Sequence, residues 1–205
     1  MPLKSESDRR SNRRPDGPFL TETPRVAEKC PEATDLELLR KAAAGDGLAF
    51  HALVDRHAQR MYRLAISLVG NPVDAEDVLQ ETFAGAYKSL SGFEGRASVK
   101  TWLTRILFTQ VARWRRDRAG RTMGSIDSAE PMVASSSIGV EIRIDLQAAL
   151  RQLSPEHREV LMLREFDGMT YEEMAEVLGL PQGTVESRLN RARSALREKL
   201  KSYSV

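Results

Sequence analysis

The stretch Met169-Thr-Tyr-Glu-Glu-Met-Ala-Glu-Val-Leu-Gly-Leu-Pro-Gln-Gly-Thr-Val-Glu-Ser-Arg-Leu-Asn-Arg-Ala-Arg193 decides the fold. Thr170, followed three residues later by Glu173, forms a capping box in which hydroxyl and carboxylate satisfy reciprocal backbone donors at a helix start. Met174, Ala175 and Leu178 give that short helix its buried side, and Ala175 is small where a second helix must come close. Gly179 supplies the left-handed backbone of a sharp turn. After Leu180-Pro181 a long helix runs to about Ser202, with Val185 and Leu189 on its inward face and Glu186, Ser187, Asn190, Arg191 and Arg193 outward. Cap, turn glycine, small residue and basic second helix, in that order, predict a helix-turn-helix of the kind that reads duplex DNA.

Charge agrees with that reading. Glu165 to Glu176 holds five acidic residues and no basic one, whereas Glu186 to Lys201 holds six basic and two acidic ones. The positive end therefore falls on the second helix. There Thr184 sits near the helix start, where its hydroxyl and free backbone N–H groups suit a phosphate. Arg188 and Arg191 can reach guanine edges or phosphates, and Asn190 can read adenine. Glu186 either accepts a hydrogen bond from cytosine or holds a neighbouring arginine; both readings stay open.

The whole chain narrows the class further. Its 205 residues carry 31 basic and 29 acidic side chains, a net charge of +2, which excludes a histone-like polycation. The 41% of hydrophobic residues supports packed cores, and the single cysteine, Cys30, excludes a disulfide framework or a cysteine zinc site. No apolar run approaches the ~20 residues of a membrane helix, and Met1 to Arg14 is too polar for a secretory signal. A soluble cytoplasmic protein is expected. Three histidines, His51, His57 and His157, have no metal spacing and read as surface or core-edge residues; no phosphate loop or nucleophile elbow appears. The chain is expected not to be an enzyme and to need no cofactor and no metal.

Upstream, residues 35–118 read as helix after helix. Asp35 can cap the first, which ends at Gly45. Phe50, Leu53, Val54, His57, Met61, Leu64 and Leu68 form an amphipathic stripe over about Leu48 to Val69. Asn71 caps a third helix with Pro72 at its first position, reaching about Leu90. Ser91 to Ala97 is a glycine-bounded loop, and a fourth helix covers about Ser98 to Arg118. Residues 1–34, rich in proline, read as a disordered tail, and residues 119–140 as a flexible linker. Residues 141–202, in a C-terminal domain of 141–205, are helical again: Ile142 to Leu153 marks one face, and Ser154-Pro155 opens a helix to about Phe166. The expected fold is all-α, two small helical domains joined by a linker, with the helix-turn-helix in the C-terminal one.

The first domain has a split surface. Asp74, Asp77 and Glu81 lie three and four apart with Gln80 alongside, an acidic stripe that helix-dipole complementarity explains only in part. The fourth helix is the reverse, with Arg105, Arg113, Arg115, Arg116 and Arg118 against Asp117. Trp102, Phe108 and Trp114 interleave with these bases, a pattern suited to melted DNA, while Trp102 and Phe108 equally suit a core.

Three segments carry a family resemblance: Asp74-Ala-Glu-Asp-Val-Leu-Gln-Glu-Thr-Phe83, Phe93-Glu-Gly-Arg-Ala-Ser-Val-Lys-Thr-Trp-Leu-Thr-Arg-Ile106, and the Met169 to Arg193 stretch. In this order, over about residues 35–202, they resemble the extracytoplasmic-function (ECF) sigma factors of bacterial RNA polymerase. The resemblance implies a subunit that binds core polymerase, directs it to specific promoters and assists melting, with an anti-sigma factor as a further partner and no direct membrane insertion. It implies that Asp74, Asp77, Gln80 and Glu81 dock on the clamp helices of the beta-prime subunit, with the beta subunit also in contact. It implies that Phe93, Trp102, Arg105, Thr109, Arg113 and Arg116 serve minus-ten reading, where a non-template base is extruded at a cost of a few kcal/mol. Thr184, Glu186, Ser187, Arg188, Asn190 and Arg191 would serve minus-thirty-five reading. Thr109 stands where the family often has asparagine, and Glu186 where many relatives are basic, so neither base preference carries over. The alternative is a stand-alone helix-turn-helix regulator, marked by specific duplex binding without polymerase. Counted over residues 119–145 the linker is net −2. A compact free chain is therefore expected, its DNA faces partly masked by domain and linker contacts.

Overall fold

A computed structural model describes residues 33–122 and 148–201. Four helices form the N-terminal half: α1 (Asp35–Ala43), α2 (Gly47–Val69), α3 (Pro72–Lys88) and α4 (Val99–Thr122), with a short 3-10 turn at Leu90–Gly92. Residues 148–151 are helical, followed by α5 (Pro155–Leu161), a π turn (Met162–Phe166), α6 (Tyr171–Leu178) and α7 (Gln182–Lys201). No strand occurs among the described residues. The expectations for residues 1–32, including Cys30, and for residues 123–147 lie outside the described residues.

Capping chemistry sets the helix ends. The first helix is capped one residue earlier than the sequence suggested. Thr34 accepts from the Glu37 N–H at 3.3 Å, while the Glu37 carboxylate accepts from the Thr34 N–H at 2.7 Å. Asp35 is thereby freed from capping and binds α2 instead. Its carboxylate takes Arg56 Nη1 at 2.6 Å and His57 Nε2 at 2.7 Å. His57 is buried, not at a core edge. Burial holds its pKa below the ordinary imidazole value against the opposing pull of Asp35. Burial pushes Asp35 upward, but Arg56 and His57 outweigh it and leave that carboxyl below the usual range. Asp46 caps α2, and Gly70, at φ +82°, ends it with its N–H on the Ile66 carbonyl.

The α2 stripe is the keel of the N-terminal half. Leu53, Met61, Leu64, Ala65 and Leu68 are buried, meeting Leu38 and Leu39 of α1, Ala75 and Val78 of α3, and Leu103 and Leu107 of α4. Each large aliphatic side chain so buried contributes roughly 1.5–3 kcal/mol. Gly85 sits where α3 and α4 cross: a Cβ there would meet Ile106 Cγ2 at 3.4 Å and Gln110 Nε2 at 3.5 Å.

In the C-terminal half Leu150, Leu153, Val160, Leu161, Met174, Val177, Val185 and Leu189 are buried. Arg158 ties the preceding helical turn down, donating to the carbonyls of Leu150 (2.9 Å), Arg151 (2.6 Å) and Leu153 (3.2 Å). The helix from Pro155 does not stay α-helical to Phe166. Its last turn widens, with Asp167 N–H on the Met162 carbonyl and Met169 N–H on that of Leu163, both 3.0 Å. Such π turns are uncommon and re-aim the chain where they occur. Here the turn swings Asp167 sideways, against α2 and α4. The two halves thus pack on one another, α6 lying against α4.

Candidate nucleic-acid and docking interfaces

The acidic stripe of α3 is built by its cap. Asn71 Oδ1 accepts from the Val73 N–H at 2.9 Å, and Pro72 occupies the first helical position. Ala75, Val78, Thr82 and Ala86 turn inward, leaving Asp77, Gln80 and Glu81 exposed on the other side. Asp74 is placed differently. Arg118 reaches its carboxylate from α4 at 3.3 Å, and the same guanidinium lies 5.6 Å from the centre of the Trp114 ring. Asp74 therefore joins α3 to α4, and the solvent-facing part of the stripe is Asp77, Gln80 and Glu81.

Helix α4 starts at a Ser98 cap, whose Oγ accepts from the Thr101 N–H at 3.0 Å. Its residues divide among three faces. Val99, Leu103, Leu107 and Val111 are buried, and so is Phe108, which is a core residue. A second face, with Arg105, Thr109, Arg113 and Arg116, is open to solvent. Trp102 borders it, half-buried, with its ring edge-on to Phe93 at 5.2 Å between centroids and 63° between planes. The Thr109 hydroxyl donates to its own helix, at the Arg105 carbonyl 3.0 Å away. The five arginines read as one basic surface are thus three in fact, since Arg118 is held by Asp74 and Arg115 by Glu159.

The third face of α4 meets the C-terminal half. Asp167, its side chain only 5% exposed, accepts Arg60 Nη1 on both oxygens at 2.7 and 2.8 Å. Lys100 Nζ lies 3.7 Å from the same carboxylate and donates to the Asp167 backbone carbonyl. The Thr101 hydroxyl donates to Glu173 at 3.1 Å, and Arg115 pairs with Glu159. The sequence assigns no role to the individual side chains of Arg60, Lys100, Thr101, Thr104, Glu159 and Asp167. No local pattern marks residues whose partners are this distant along the chain.

The helix-turn-helix forms as its sequence implies. Thr170 and Glu173 complete the capping box at 3.2 and 2.9 Å. Gly179 takes φ +64° and ends α6, and Val185, Leu189 and Ala192 seat α7. Ser187, Asn190 and Arg191 are exposed; Thr184, Glu186 and Arg188 are half-buried. The amides of Thr184 and Val185 are not free for a phosphate, because both donate to the Pro181 carbonyl, at 2.9 and 3.1 Å. Glu186 holds no arginine: its carboxylate accepts Gln182 Nε2 at 3.1 Å, a partner four residues away on the same helix face. Arg188 lies 3.5 Å from Glu156, and Arg193 pairs with Glu165 at 2.6 and 3.0 Å. The Glu165 contact raises the Arg193 pKa. The helix therefore presents Ser187, Asn190 and Arg191 outright, with Arg188 steadied beside them.

An acidic exposed stripe, an arginine face bordered by an edge-to-face aromatic pair and a helix-turn-helix thus follow one another along the chain. Residues 53–121 match the family model Sigma-70 region 2, and residues 143–196 match Sigma-70, region 4. The chain belongs to the sigma-70 family, in its ECF branch. It is 38% identical over 177 residues to the ECF RNA polymerase sigma factor SigE of Mycolicibacterium smegmatis, covering 79% of this chain and 66% of that protein. It is 33% identical to the RNA polymerase sigma-H factor of Pseudomonas aeruginosa, over 79% of this chain and 91% of that one. The ECF sigma factor SigM of Mycobacterium tuberculosis is 36% identical over 80% and 84%. Among solved structures it resembles CnrH in complex with the cytosolic domain of CnrY, with TM-score 0.63, 31% identity, and 82% and 97% coverage. It also resembles the sigma factor RpoE bound to the anti-sigma factor NepR from Bartonella quintana, with TM-score 0.65, 30% identity, and 74% and 96% coverage. Sigma factors are not enzymes. No helix among the described residues is long and apolar enough to cross a membrane.

Proposed function

We propose that this chain acts in the cytoplasm as a promoter-specificity subunit and divides its work among three surfaces. Asp77, Gln80 and Glu81, with Asp74 bracing them from the α4 side, dock on the beta-prime clamp helices of core RNA polymerase. The exposed α4 face of Arg105, Thr109, Arg113 and Arg116 follows the phosphates of the minus-ten element, while Phe93 and Trp102 take an extruded base. Helix α7 reads the minus-thirty-five element in the major groove through Ser187, Asn190 and Arg191, with Arg188, Thr184 and Glu186 at the margin. In this reading residues 35–118 serve docking and melting, 119–140 link, and 141–205 read upstream. An anti-sigma factor is the expected off-switch partner, since both solved neighbours are captured with a partner and one is named as such.

The observation that carries this reading is the division of arginines on α4. Two are tied to carboxylates, and the three left exposed share one face beside the Phe93–Trp102 pair. Base stacking on aromatics with arginines on the backbone is how proteins hold single strands. The test is run-off transcription with core polymerase on a randomised promoter library. Selected start sites that share two upstream elements support the reading. Tight, specific duplex binding by the chain alone, with no polymerase-dependent transcript, would establish a stand-alone regulator instead.

A further inference from the structure

A carboxylate on a helix that meets DNA repels the phosphates, and nothing inside the chain neutralises that of Glu186. On a helix a side chain faces those three and four positions away. For Glu186 these are Gln182 and Gly183 before it and Leu189 and Asn190 after it, none of them basic. Arg188, two positions on, lies 3.5 Å from Glu156 instead. Among the described residues the partner of Glu186 is the uncharged Gln182, at 3.1 Å. We propose that Glu186, held in place by Gln182, selects a cytosine in the duplex that α7 reads. This deepens the upstream reading under the proposed function and rests on it.

The base follows from the chemistry of the groove. An ionised carboxylate accepts hydrogen bonds and donates none. In the major groove guanine presents the acceptors N7 and O6, and thymine the acceptor O4 beside a methyl group. Both turn lone pairs toward a carboxylate oxygen. Adenine has a donor at N6, but its N7 acceptor lies next to it. Cytosine presents the N4 donor with no acceptor of its own alongside. The order of preference is therefore cytosine, then adenine, with guanine and thymine rejected.

Gln182 is the positioning residue. Because the carboxylate only accepts, the bond runs from the Gln182 amide to Oε1 of Glu186. That restrains a half-buried side chain and leaves its second oxygen for a base. Both residues lie in the first turns of α7, the part of a recognition helix that meets base edges. Gly183 between them supports close approach at this end. A Cβ there would meet nothing within 4 Å, so no neighbour in the fold requires glycine. Glycine is also a poor helix former, so what its bare backbone accommodates lies outside the chain. Asn190 stands one turn beyond Glu186 and suits adenine. Residues four apart are about 5–6 Å from each other at Cβ, against ~3.4 Å per base step. The cytosine therefore falls one or two base pairs from the base that Asn190 reads.

The test is selection by holoenzyme from promoter duplexes randomised over the upstream element, with the chain alone on the same duplexes as a second arm. The wild type should enrich cytosine at one position about tenfold over guanine and thymine, the ratio that ~1.4 kcal/mol of discrimination gives. Glu186→Ala should level that position and leave the others as they were. Glu186→Gln, whose amide can pair with adenine N6 and N7, should move the preference from cytosine to adenine. Gln182→Ala should keep cytosine first but shrink its lead, while helical circular dichroism stays at the wild-type level because the side chain is exposed. A role in helix stability alone would move the melting temperature and not the base profile. An unchanged profile for Glu186→Ala, a uniform change in affinity with the profile intact, or a levelled position that was not cytosine overturns the proposal. A wild-type profile for Gln182→Ala overturns the positioning role. If the chain alone selects a sequence and holoenzyme does not, the promoter role falls, and the same variants decide the Glu186 contact on the sequence the chain selects. Selection by neither arm overturns both.

Discussion

The guanidinium of Arg188 on α7 lies 3.5 Å from the Glu156 carboxylate on α5 and is 23% exposed, whereas Arg191, three residues on, faces solvent. A side chain already held by a carboxylate loses less freedom on binding DNA, but it must share its charge. Arg191→Ala should cost about 1–3 kcal/mol of minus-thirty-five affinity and relax preference at one base pair if the contact is bidentate. Arg188→Ala should cost less, and Glu156→Gln should leave base preference unchanged while loosening Arg188. Competition binding of holoenzyme on single-base variants of the upstream element measures all three. A uniform loss across sequences for Arg191→Ala would mark it as a phosphate contact.

The exposed acids of α3 carry a separate expectation. Asp77→Arg with Glu81→Arg should abolish binding to core polymerase while helical circular dichroism stays at the wild-type level, because neither side chain is buried. Asp74→Asn should behave otherwise. It removes the negative charge that Arg118 meets on α3 and should lower the melting temperature as well as the affinity. Unchanged core affinity of the double variant at physiological salt would remove the docking role from this stripe.

Phe93 and Trp102 meet edge to face beside the open arginine row. If that pair receives an extruded base, Trp102→Ala should reduce open-complex formation by the worth of one stacking contact, about 1–3 kcal/mol. Permanganate reactivity of melted thymines should fall, while binding to a promoter with a pre-melted bubble falls less. Equal losses on duplex and bubble templates would assign Trp102 a packing role alone.

What the sequence discloses follows the range of the interactions involved. The capping box at Thr170 and Glu173, the Gly179 turn and the Leu53–Met61–Leu64–Leu68 stripe are local patterns, and the structure forms each of them. The first helix escaped by one residue because Thr34 and Asp35 are both good caps, and only the Glu37 reach-back and the Asp35–His57 pair decide between them. Arg115 and Arg116 are adjacent in sequence, yet 100° of helix rotation sends one to Glu159 and leaves the other in solvent. Asp167 meets Arg60 across 107 positions, and its aim depends on a π turn that no residue preference announces. The solvent-facing candidate residues were therefore legible as a pattern. Which of the charges were already spent on one another was not.

Among the described residues, Glu173 is the acid that serves both a helix cap and the contact between halves. Its carboxylate accepts the Thr170 N–H at 2.9 Å and the Thr101 hydroxyl at 3.1 Å. The Thr170 backbone N–H, first, and then the Thr101 and Thr170 hydroxyls and the Lys100 charge outweigh burial and hold its pKa below the ordinary glutamate value. A carboxyl depressed in the folded state adds stability that is present above the unfolded pKa, about 4.3. That stability is lost as the pH falls through the lower, folded value. The melting temperature of the wild-type chain should therefore drop more steeply on acidification than that of Glu173→Gln, which keeps an acceptor oxygen but no charge. The gap between the two should be widest near neutrality and close at acid pH. Thermal denaturation across that range is the measurement, and a gap independent of pH would assign the Glu173 contribution to hydrogen-bond geometry instead of charge.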